Sequence, residues 1–283
     1  DADGKRYEGI FDGNGFTIYK MRAAGAEKQG LFGTVGGNTS GTRTVIINTG
    51  ISTSLLQVTG QYAGGIAGYV NGNNVTISLC QNTGSLSGSG AYFGGIIGGA
   101  GAAENLVIDG CGNSAAGNIS NGSYEYVGGV LGGFEDVTTA ATIRNCYNLG
   151  KVAGKANVGG ITGSATQTAQ KITASYNAGT VSGTGAAGIT GAGTQENVAD
   201  CYYETGKTAD TYAAGLAQNK LKTWGAAWSL NGRKVTQATG ISWDCTGDYP
   251  YPTTSPLGAK NWEVVAAGIV DGFVDMEPLT SGS

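Results

Sequence analysis

Three tyrosines, Tyr147, Tyr176 and Tyr202, each follow a small polar residue, Cys146, Ser175 or Cys201, at spacings of 29 and 26 residues. If those spacings are turns of a regular coil, three phenol rings pile up along one face. Such rings can stack on the apolar face of a sugar or on a partner's side chains. Alternation along a strand turns them outward, so Tyr147, Tyr176 and Tyr202 are the expected ligand-binding residues. The plainer reading of the same column is a surface aromatic ladder that contributes only stability. A second set, Tyr62, Tyr92 and Tyr126, stands two residues before a double glycine, at a bend that leaves its facing open.

Carboxylates recur as well: Glu104, Glu135, Asp136 and Glu196 all lie in loops after a glycine-rich phrase. On adjacent coils two of them could form a glycosidase pair, or a cation site of the kind used in sugar lyases. Their offsets from the glycines differ, which favours solvated loop charges and no catalytic residues. Asp1-Ala2-Asp3-Gly4 and Asp12-Gly13-Asn14-Gly15 could hold a structural calcium ion but lack a twelve-residue ligand pattern, so turns account for both and no cofactor is expected. The chain has no histidine. Ser-His-Asp and Cys-His catalysis and HExxH zinc sites are thereby excluded for this segment.

What positions these residues is a repeat. A phrase of the form Gly64-Gly65-Ile66-Ala67-Gly68 recurs in frames that begin at 29, 64, 94, 128, 159 and 187, steps of 28 to 35 residues. Between its copies runs a second phrase, Ile143-x-x-Cys146-x-Asn148-x-Gly150-x-Val152. The segments are too short, and too rich in Gly, Thr and Val, for helical repeats. A closed path of about 30 residues per turn predicts an all-β fold, a parallel β-helix whose strands pair with their equivalents about 4.8 Å above and below.

In that register the chain reads as stripes. Ile66, Ile96, Val130, Ile161 and Ile189 form one aliphatic stripe, and Ile77, Ile108, Ile143, Ile172 and Val198 another. Cys80, Cys111, Cys146 and Cys201 form a third, with Ser175 in the coil between and Ile46 in the place of the first cysteine. Stacked in register they are buried thiols that act as small hydrophobes, not disulfide partners. Asn48, Asn82, Asn113, Asn148 and Asn177 predict an asparagine ladder that bonds the turns and itself along the stack.

The 283 residues include 53 Gly and 4 Pro, with 13% charged residues and net charge −4, which gives no electrostatic handle on nucleic acid or an anionic membrane. No apolar run approaches the ~20 residues that span a bilayer. Coils including an opening coil are expected over 1–206, a capping segment over 207–257, and a terminal strand and tail or linker over 258–283. Ala217, Leu221, Trp224 and Trp228 mark an amphipathic helix within 216–230. It is expected to lie over the C-terminal opening, with an aromatic turn at 243–252 finishing the cap. The chain opens at Asp1 within what reads as structure, as a mature fragment or excised domain would, and the expected state is a monomer within a larger multidomain chain.

Phe11-Asp12-Gly13-Asn14-Gly15-Phe16-Thr17-Ile18, the repeated Cys146-Tyr147-Asn148-Leu149-Gly150 followed by Val158-Gly159-Gly160-Ile161, and the closing Trp and Tyr-Pro segment resemble the GLUG-motif proteins over residues 7 to 257. The resemblance implies a right-handed β-helix on a secreted or wall-attached bacterial surface protein. Repeats of this kind occur in adhesins and beside the catalytic parts of IgA-cleaving metallopeptidases, and they supply no catalytic residues. The expected function is a non-catalytic rigid stalk or adhesin for a host surface protein or glycan, extracellular or attached to the cell wall. The competing class is a polysaccharide lyase or glycoside hydrolase built on the same fold.

Overall fold

The computed structural model describes residues 5–254 apart from 26, 38–40, 42, 137–138, 234–236, 238–239 and 246–247, and leaves the side chains of 53–57 undescribed. The strand expected around Trp262-Glu263-Val264-Val265 and the turn at Asp1–Gly4 lie outside the described residues. Short strands stack in parallel into about six coils, so the molecule is a β-solenoid. Seven strands form one face, from Ile10–Asp12 to Val198–Ala199. Six form another, from Phe32–Val35 to Thr190–Gly193. A fourteen-stranded sheet closes the coil and carries a side lobe.

Each coil contributes a few inward apolar residues, and the register stacks them. Phe11, Ile46, Ile77, Ile108, Ile143, Ile172 and Val198 are successive Cα partners. Those from Ile46 onward are buried in the central core together with Ile66, Ile96, Val130, Ile161 and Ile189. Burying one such side chain contributes about 1.5–3 kcal/mol, and neighbouring coils supply the cover that a single coil lacks. A separate core of Leu86, Phe93, Ile119, Val127, Val152 and Val158 fills the side lobe.

The register corrects two expectations in the first coil. Ile46 pairs with Ile77, so it belongs to the isoleucine column and Thr49 stands level with the cysteines. Ile51 pairs with Asn82, which places Ile51, not Asn48, on the ladder rung. Asn48 sits instead at a bend, with φ of 53°, level with Leu79 (50°), Gly110 (67°), Asn145 (53°) and Ala174 (47°). The left-handed region favours Asn and Gly, and in the first coil it drew the asparagine to the bend and left the rung apolar.

Beyond that coil the ladder forms. Asn82, Asn113 and Asn148 each donate from Nδ2 to the next rung's Oδ1, at 2.8, 2.8 and 2.7 Å, and each also donates to a turn carbonyl. All four asparagines, Asn177 included, are fully buried. The second glycine of each pair makes room for them: a Cβ on Gly129 would lie 2.6 Å from Asn148 Cγ. The cysteines stack beside the ladder as buried free thiols. Each Sγ contacts a carbonyl one coil back, at 3.4 Å from Cys111 to Ile77 and 3.6 Å from Cys201 to Ile172.

The C-terminal segment is a cap, but it covers a different surface from the one expected. Two short helices, α1 (Gln218–Leu221) and α2 (Trp224–Leu230), replace the single amphipathic helix. Thr223 interrupts them because its hydroxyl accepts from Ala226 N and so caps the second helix. With a hairpin of Ser242–Asp244 and Tyr251–Thr253, they lie along the flank of the solenoid. The C-terminal opening is closed by the preceding loop. There Asp210 accepts from Ile189 N, Tyr212 N and Ala213 N at 2.7, 2.7 and 2.9 Å, while Tyr212 and Ala213 pack on the central core. No described helix is long and apolar enough to cross a membrane.

Candidate functional site

The column Tyr147, Tyr176 and Tyr202 is in register, as its spacing requires, and it points away from the central core. It is almost wholly covered. The three residues retain 7%, 0% and 7% exposure because the flank cap covers them. Leu221, Ala226, Ala227, Leu230 and Trp243 form one buried cluster with the tyrosines. Trp243 Nε1 donates to Ala174 O at 3.0 Å, and Tyr176 donates its hydroxyl to Pro250 O at 2.7 Å. Burial pushes the Tyr147, Tyr176 and Tyr202 phenols above their ordinary value. Strand alternation gives a side chain's direction relative to its own coil and carries no information about a later segment folding over that face. The trio is the seat of the cap and forms no open platform, and of the three only Tyr147 lines a cleft.

The second tyrosine set is buried at Tyr62, which is 6% exposed, and partly exposed at Tyr92 and Tyr126. Lys28, Tyr62, Tyr92, Tyr126 and Asn157 occupy one bend in successive coils, all in the left-handed region, with φ between 52° and 68°. For a bulky residue this backbone costs on the order of 1–3 kcal/mol, so neighbouring contacts must hold it. Ring stacking is one such contact. Tyr62 and Tyr92 stack at 5.2 Å between centroids, and Tyr92 and Tyr126 at 4.6 Å with planes 7° apart. The floor beneath is the outward column Tyr69, Gly99, Gly133. A Cβ on Gly99 would meet the Tyr62 ring at 2.6 Å, so glycine there lets the rings lie flat on the sheet.

Glu135 ties the N-terminal end of this ladder. Its two carboxylate oxygens accept from Tyr62 Oη at 2.6 Å and from Tyr69 Oη at 2.5 Å, reaching back across two coils. Burial first, and then the carboxylate, push the Tyr62 and Tyr69 phenols well above their ordinary range. Burial likewise pushes Tyr92 up to about 12. At neutral pH Tyr62, Tyr69 and Tyr92 are therefore neutral O–H groups.

Its other end is open. Tyr126 is half-buried and stacks on Tyr92 on one face. The next position in the column is Asn157, so among the described residues no ring covers the opposite face. The Asn157 amide lies 3.5 Å from a Glu125 carboxylate oxygen there. An aromatic face beside an amide and a carboxylate can hold the apolar side of a pyranose and accept from its hydroxyls.

Of the loop carboxylates singled out by sequence, Glu135 enters this site through its hydrogen bonds to Tyr62 and Tyr69, and the Asp136 charge acts on Tyr69. Glu104 bonds through its backbone to Asn73, and Glu196 lies in a short 3-10 turn on another face. Among the described residues no group of three or more acidic or cysteine side chains is arranged to hold a metal ion. Asp12 accepts from Asn14 N and from Asn48 Nδ2, the bonds of a turn. Tyr69, Glu125 and Asn157 escape a sequence reading. Their one signal is the glycine at 99 and 133, at positions where an outward residue is expected. No family model, curated protein or solved structure matches this chain.

Proposed function

We propose that this chain is a non-catalytic module of a bacterial cell-surface protein that holds a glycan against the Tyr62–Tyr92–Tyr126 ladder. One observation carries the reading: the tyrosine stack, buried at Tyr62, ends in a partly exposed ring, Tyr126, whose far side meets no further ring but the Asn157 amide and Glu125. The solenoid contributes stiffness, so ring and polar groups keep a fixed spacing and several weak contacts act together. The likeness of the repeats to GLUG-motif surface proteins supports the same assignment, and with it an extracellular or wall-attached setting. The competing lyase or hydrolase reading gains nothing from Glu135, whose two oxygens are both engaged by phenols.

Binding of the isolated chain to a glycan array, repeated with Tyr126→Ala, tests the proposal. A glycan that binds the parent chain and loses at least tenfold in affinity on Tyr126→Ala is the expected result; stacking of about 1.4 kcal/mol corresponds to that factor. Absence of any glycan binding, or binding indifferent to Tyr126→Ala, overturns it.

A further inference from the structure

The outward column that carries the covered tyrosines runs on toward the N-terminal end as Thr17, Gly50, Gln81, Gly112, Tyr147. Its bulk collapses where the cap runs out. Gly112 has no side chain, and a Cβ there would lie 2.1 Å from the Tyr147 ring. Tyr147 therefore leans over Gly112 toward the N-terminal coils and accepts from Gln81 Nε2 at 2.6 Å. Tyr251 and Pro252, in the last described strand of the cap, stand opposite. Between coils and cap is a cleft of about 280 Å³.

Its lining has a definite chemistry. Thr17, Asn48, Gln81 and Tyr147 supply hydroxyls and amides, Tyr251 supplies a ring, and no lining residue carries a charge. Several of these groups have bonding capacity left over. The Tyr147 oxygen is used as an acceptor, and neither its own proton nor Gln81 Oε1 has a partner among the described residues. Thr17 likewise makes no side-chain bond. Each of these groups can bond a ligand hydroxyl in place of solvent. The volume falls below the ~300–1,000 Å³ that takes drug-sized ligands, which matches one ring rather than an oligosaccharide.

From this we infer that the seam between cap and coils is a binding site for one neutral pyranose, a single sugar or the end of a glycan chain. The ring of the sugar lies against Tyr251, and vicinal hydroxyls accept from Tyr147 and donate to Gln81. The site is separate from the Tyr126 shelf and goes beyond the function proposed there.

Saturation-transfer NMR on the whole chain tests it, with methyl α-glucoside and methyl β-galactoside as neutral probes and glucosamine and glucuronate as charged ones. A neutral probe is expected to bind with a dissociation constant of about 1 mM, as suits a ligand of this size. Gln81→Ala, at an exposed position, and Tyr147→Phe, which keeps the ring in the cap's core, should each weaken it by about fivefold to tenfold. Tyr126→Ala should leave it unchanged, so loss of array binding by that variant bears on the shelf alone. No neutral binding, equal binding of the charged probes, or indifference to both Gln81→Ala and Tyr147→Phe overturns the inference.

Discussion

Replacing Asn148 by alanine removes a rung from the middle of the amide ladder. Three hydrogen bonds go with it: donation to Gly150 O at 2.9 Å, donation to Asn177 Oδ1 at 2.7 Å, and acceptance from Asn113 Nδ2 at 2.8 Å. At about 1 kcal/mol for each buried neutral bond, Asn148→Ala should cost about 3 kcal/mol. Asn113→Ala removes three bonds as well, to Gly117 O, to Asn148 Oδ1 and from Asn82 Nδ2. The two variants share one bond. The double variant therefore loses five bonds rather than six and should be about 1 kcal/mol more stable than the two single costs added together. Asn82 and Asn148 share none, so that pair should add to within about 0.5 kcal/mol. Urea unfolding followed by far-ultraviolet circular dichroism and by tryptophan fluorescence gives these values where the two transitions coincide. A cost below about 1 kcal/mol for Asn148→Ala, or strict additivity of Asn113→Ala with Asn148→Ala, would refute a cooperative ladder.

Alkaline titration read at 295 nm should find Tyr92 protonated until pH approaches about 12, raised by burial from 10.0. A phenol pKa that is higher in the folded state favours folding fully below pH 10, and this contribution is lost as pH rises from 10 to about 12, so the unfolding midpoint should fall across that window. The five cysteines are buried thiols outside any disulfide, with Cys201 pushed up to about 12 by burial, so Ellman's reagent should find no reactive thiol in the folded chain and all five in denaturant. Asp210→Ala unties three backbone N–H groups at the C-terminal plug and should cost at least about 3 kcal/mol. It should also give higher oligomers by light scattering as the solenoid end opens. Monomeric behaviour with an unchanged midpoint would remove the plug role.

The coil was legible because its signals repeat. A period set by Gly-Gly phrases, isoleucines three residues before each cysteine and asparagines two residues after it leave one register for Ile77 to Val198, and the structure has that register. In the first coil the same reading slipped by three residues, since Ile46-Ile47-Asn48 imitates the spacing of Cys80-Gln81-Asn82 while its asparagine serves a left-handed bend. The site at Tyr126 was half visible. Tyr62, Tyr92 and Tyr126 could be grouped, but their facing depends on positive φ at the bend, which period-two alternation does not describe. Glu135 could not be joined to Tyr62 and Tyr69, because its side chain reaches two coils back and no fixed offset marks that path. The cap helix was found by its apolar period, yet nothing local tells a helix whether to sit on an opening or on a flank.

That flank position decides the order in which the molecule can come apart. A bare solenoid frays from either tip, one turn at a time, because each turn touches only its neighbours. Here Trp243 is bonded to Ala174, Gln237 to Asn145, and Ile241 lies against Gly110, so the cap is fastened like a strap to three consecutive turns in the C-terminal half. Those turns cannot leave singly while the strap holds. Melting is expected to begin at the opposite tip, where Ile10, Phe16 and Tyr19 are bare, and a load pulling on the C-terminal side should tear the strap away before the turns beneath it unwind.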